Sequence, residues 1–88
     1  MITHIEINGE QCDISNMSDE ILILSAYIYD VLIKSWERSL DSGNNLHNDA
    51  WYRDNINEFK NKKIEKGKIV NKILKQRNRK EWDFNEIL

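Results

Sequence analysis

The chain has no proline, one cysteine, three glycines and two histidines, and only Ala26 and Ala50 as alanines. Each scarcity excludes something. Without proline, no prolyl kink or cis turn interrupts its elements. Cys12 alone makes no internal disulfide, and there is no thiol cluster for zinc. Gly9, Gly43 and Gly67 are scattered, so there is no glycine-rich phosphate loop. The longest apolar run, Ile21–Ile33, has 13 residues and contains Asp30, short of the ~20 needed to span a bilayer. No basic segment followed by an apolar run opens the chain, so we expect no signal peptide and a reducing, cytoplasmic address. No Ser/His/Asp order and no carboxylate pair in a plausible pocket is apparent. We therefore expect no catalysis, cofactor, metal or small-molecule substrate.

What is present is a single domain's worth of ordinary globular composition, 40% hydrophobic and 32% charged. A chain of this length buries roughly 60–65% of its unfolded surface, so its core is marginal unless a partner adds cover. Ile, Asn and Lys fill 33 of the 88 positions. That bias fits an AT-rich genome, such as many bacteria, phages and plasmids have. The net charge of −2 hides segregation: residues 1–59 carry eleven acids against three bases, and residues 60–80 carry ten bases against one acid. The dispersed acids Glu6, Glu10, Asp13, Asp19 and Glu20 suit solubility, or steering of a basic partner.

The fold class reads as α+β: an N-terminal β-hairpin (1–15) packed on a two-helix antiparallel unit. Asn8-Gly9 suits a two-residue type I′ turn, since both residues tolerate positive φ. Folding there pairs Ile7 with Glu10, Ile5 with Cys12 and Thr3 with Ile14, and gathers those isoleucines and Cys12 on one face. His4 falls opposite Asp13, and a cross-strand polar pair accounts for it better than a metal site.

The first helix is expected over 18–41, with Ser18 as N-cap and Asp19 and Glu20 complementing the helix dipole. Its wheel shows one polar stripe, Asp30, Lys34, Glu37 and Arg38. From Ile21 to Tyr29 it is apolar nearly all round, as in a helix covered on more than one side. The second helix is expected over 46–80. Tyr52, Ile56, Phe59, Val70, Ile73 and Leu74 form its buried arc. The pattern thins at Asn61–Lys68, and Gly67 marks either a break or a close approach of backbones; we expect a continuous or slightly kinked helix. His47, Asn48 and Asp49 read as helix-start chemistry, and Trp36 and Trp51 as core. The tail 81–88 carries Trp82, Phe84, Ile87 and Leu88, too apolar to float free.

Two surfaces invite partners. Lys68, Lys72, Lys75 and Arg79 make a ridge opposite the buried arc, flanked by Asn57, Asn61, Asn71 and Asn78. Such a ridge could track phosphates, or be answered by the chain's own acids. Trp82, Phe84, Tyr27 and Ile23 are the candidate protein-binding residues, with Trp82 an interface anchor. The segments INGEQ (Ile7–Gln11) and GNNLHNDAW (Gly43–Trp51) resemble, in the same order, pieces of barstar-like ribonuclease inhibitors. The resemblance spans about fourteen positions, carries over no fold or inhibitory residue, and favours an inhibitor among binding roles. The expectation is a small non-catalytic protein–protein interaction or inhibitor module, phage- or mobile-element-like, bound to a protein or to itself as a homodimer. The alternative is a nucleic-acid-binding module using the basic ridge.

Overall fold

The computed structural model describes residues 1–43 and 46–83. Strands β1 (His4–Ile7) and β2 (Glu10–Asp13) pair antiparallel, with Ile5 opposite Cys12 and His4 opposite Asp13. Asn8 and Gly9 both have positive φ, 53° and 84°, as a type I′ turn requires. Ile14 N–H donates to Thr3 O at 3.0 Å, which extends the pairing by one residue on each side. The chain then makes a 3₁₀ turn (Ile14–Asn16), where the Asp13 carboxylate accepts the Ser15 N–H at 2.8 Å. That bond lowers the Asp13 pKa, since it favours the charged form.

Helix α1 runs Asp19–Ser42. Ser18 Oγ accepts the Ile21 N–H, and Gly43 ends the helix in the left-handed region. Helix α2 runs Asp49–Gln76, capped by Asn48, whose side chain accepts the Trp51 N–H. It is continuous through Gly67, which is buried. It starts and stops inside the expected 46–80. The early stop has a local cause: Asn78 takes φ 58°, its N–H donates to Lys75 O, and the Arg79 N–H donates to Leu74 O. Those two bonds are a Schellman motif with asparagine in the left-handed position.

The two helices are antiparallel, since Asp19 meets Arg77 and Asp30 meets Lys63. The core lies where the hairpin covers the open end of the helix pair, away from the connection between α1 and α2. Ile5, Ile14, Leu22, Ala26, Val70, Ile73 and Leu74 form it, with Ile7, Ile23 and Trp82 packed against its edge. Two side-chain amides on α2 lash the flanking segments to it. Gln76 bonds both the N–H and the carbonyl of Ile2, at 2.7 and 3.1 Å. Asn71 does the same for Trp82, at 2.8 and 2.9 Å. No helix among the described residues is long and apolar enough to cross a membrane.

Candidate interaction surface

Helix α1 turns Leu22, Ala26, Asp30 and Ile33 inward, at spacings i, i+4, i+8 and i+11. Diametrically opposite, at i, i+3, i+7 and i+10, lie Ile21, Leu24, Ile28 and Val31, exposed by 48, 57, 50 and 44%. The outward face of α1 is thus an apolar row. The hairpin and α2 cover the other sides. Ile7, at the hairpin tip, borders the row and with Ile21, Leu24, Ile28 and Lys66 lines a shallow groove of about 290 Å³. Ser35 continues the row as a polar residue.

Of the candidate protein-binding residues, Ile23 and Tyr27 lie on α1 beside this row without forming it. Ile23 and Tyr27 are half-buried, Ile23 against the core edge. Trp82 is half-buried and packs on the core, its backbone held by Asn71. Phe84, with Ile87 and Leu88, lies outside the described residues.

The polar stripe of α1 is different from its reading on the wheel. Asp30 is buried and accepts a hydrogen bond from Lys63 Nζ at 2.9 Å, both side chains being 10% exposed or less. Lys66 is also buried, donating to the carbonyl and to the carboxylate Oε2 of Glu6. That pairing, joined by the Gly9 N–H and the charge of Lys66, lowers the Glu6 pKa below its usual 4.5. Arg77 donates to Asp19 at 2.9 Å and to Ile14 O at 2.8 Å. A large share of the cationic segment therefore answers the acids of the first thirty residues. Holding α2 to β1 and α1 is its main visible use.

Of the four-residue ridge, Lys68, Lys72 and Lys75 are exposed on the outward face of α2. Arg79 lies past the helix end and reaches Asp19 at 3.5 Å, so it does not continue the row. The Asn71 side chain is engaged in the Trp82 clamp, and Asn78 stands at the helix stop, past the end of α2.

At the far end of the helix pair an aromatic cluster closes the structure. Trp36 meets Phe59 and Trp51 edge-on at 4.9 and 5.9 Å, and His47 stacks on Trp51 at 3.9 Å. Trp51 is 37% exposed and Trp36 half-buried, so the two tryptophans cap the core rather than sit inside it. Among the described residues no three His, Cys, Asp or Glu side chains are grouped to hold a metal. Compared with known proteins, the chain matches no family model, no curated protein and no solved structure.

Proposed function

We propose that the chain is a non-catalytic protein–protein interaction module of the adaptor or inhibitor kind, docking through the outward face of α1. One observation carries the reading: four large aliphatic side chains in a single helical row are each about half exposed. Single exposed leucines are ordinary on any protein, but a contiguous row is the signature of a contact surface. By contrast, α2 and the hairpin present mostly polar groups to solvent, with Trp51, Ile64 and Ile69 the exposed large apolar residues of α2.

The test is a photo-crosslinking side chain placed in turn at Leu24, at Ile28, and at the control position Lys72. Discrete adducts from 24 and 28, absent from 72 and abolished by Val31→Asp, are the expected result. No discrete adduct from the row, with the variants folded by circular dichroism, refutes the proposal. A second reading rests on the exposed Lys68, Lys72 and Lys75, which form no ion pair among the described residues and suit a phosphate backbone. With three contacts, binding to duplex DNA would fall with salt at a log–log slope of about −2.7. No retention on DNA or heparin at low salt ends that reading.

A further inference from the structure

The occupant of the α1 row can be named. Resting on the interaction reading above, we infer that it is the same row of a second copy, packed antiparallel to form a four-helix unit. The spacing i, i+3, i+7, i+10 is that of a coiled-coil seam. A seam of four residues is symmetric about the level of Ala26. Antiparallel pairing about that level sets Ile21 against Val31 of the second copy and Leu24 against Ile28 of the second copy. Every apolar residue of the row then meets another.

The charges at the seam's edge select this direction. Glu20 precedes Ile21 by one residue and Lys34 precedes Ser35 by one, so both occupy the same edge of the row. In the antiparallel pair Glu20 lies level with residue 32 of the second copy. Lys34 of that copy is two residues further along, about 3 Å at the helical rise. Twofold symmetry makes this contact twice. Parallel pairing would bring Glu20 beside Ser25 and Lys34 beside Ser39 of the second copy, with no opposite charge at either. The helix dipoles also oppose a parallel arrangement. The row ends where Ser35 and Arg38 follow it, so the seam has a defined length and no tendency to grow into a filament. An isologous contact of this kind closes on itself.

Sedimentation and disulfide trapping decide the matter, in a Cys12→Ser background. The pure protein is expected to sediment at twice its 10.5 kDa. Leu24→Asp should weaken the association at least about tenfold, as loss of a central seam residue does. Glu20→Lys should weaken it too, and adding Lys34→Glu should restore it, a rescue that a folding defect would not show. Mixed Ile21→Cys and Val31→Cys proteins should form a mutual disulfide, while neither does so alone. Disulfides from each variant alone, but not from the mixture, would overturn the antiparallel register. A 10.5 kDa species at every accessible concentration would overturn the second copy as occupant. In that case photo-adducts from position 24 with a different chain would leave the interaction reading standing, and their absence would remove it as well.

Discussion

Replacing Asp30 by leucine should cost this protein a large part of its stability. Lys63 Nζ sits 2.9 Å from the Asp30 carboxylate, and the two side chains are 10% and 7% exposed. Removing the carboxylate leaves an ammonium group buried without its counter-charge, a loss of about 3–5 kcal/mol. An 88-residue chain has a total stability of only about 4–13 kcal/mol. With a urea slope near ~1 kcal/mol/M for so small a domain, the unfolding midpoint should fall by about 3–5 M, or the variant should not fold. The double variant Asp30→Leu with Lys63→Met removes both charges and keeps the volume. It should recover most of the loss, because the pair's mutual attraction only offsets the cost of desolvating two ions. Urea unfolding by circular dichroism on wild type, both single variants and the double variant completes the cycle. A loss below about 1 kcal/mol for Asp30→Leu, or a double variant no better than the worse single one, would refute the buried pair as the joint between α1 and α2.

Glu6→Gln tests the second joint. The folded pKa of Glu6 lies below 4.5, so its contribution is present above that pH and fades as pH falls through the lower folded value. Wild type should be more stable than the variant at neutral pH, and the difference should vanish in acid; an equal gap at both pH values would show that Lys66 does not depend on the Glu6 charge. Gly9→Ala should destabilise by about 1–2 kcal/mol from backbone conformation alone, because φ is 84° and no atom lies within 4 Å of the added carbon. A neutral effect in thermal unfolding would mean the turn can relax to another type.

The hairpin was legible because everything that defines it is local. Asn8-Gly9 chooses the turn and the alternation of Ile5 and Ile7 chooses the face, so register follows without any distant information. Ser18 at the head of α1 was readable for the same reason. The second helix was legible as a long continuous element, but charge hid part of its buried face. Phe59, Lys63, Lys66 and Val70 follow one another at helical spacing, and the apparent thinning of the apolar pattern was two core-facing lysines. Asp30 likewise shares the face of Leu22, Ala26 and Ile33, but a lone acid on a wheel reads as outward until its partner is known. That partner is 33 residues away and invisible to any window. That Ile21, Leu24, Ile28 and Val31 are the exposed residues, with Ile23 and Tyr27 half-buried beside them, was not legible for a related reason. A helix apolar on all sides does not reveal which side the rest of the chain will take.

The hairpin segment is anchored by residues that lie more than fifty positions further along the chain: Glu6 by Lys66, Ile2 by Gln76, Ile14 by Arg77. During synthesis the strand pair therefore leaves the ribosome with nothing to rest on. At ~5–20 residues per second, the sixty or so residues that must follow take about 3–12 s to make. Through that interval the nascent chain displays its greasiest segment unsheltered, and its fate in the cell is open to whatever chaperone or protease arrives before the lysines do.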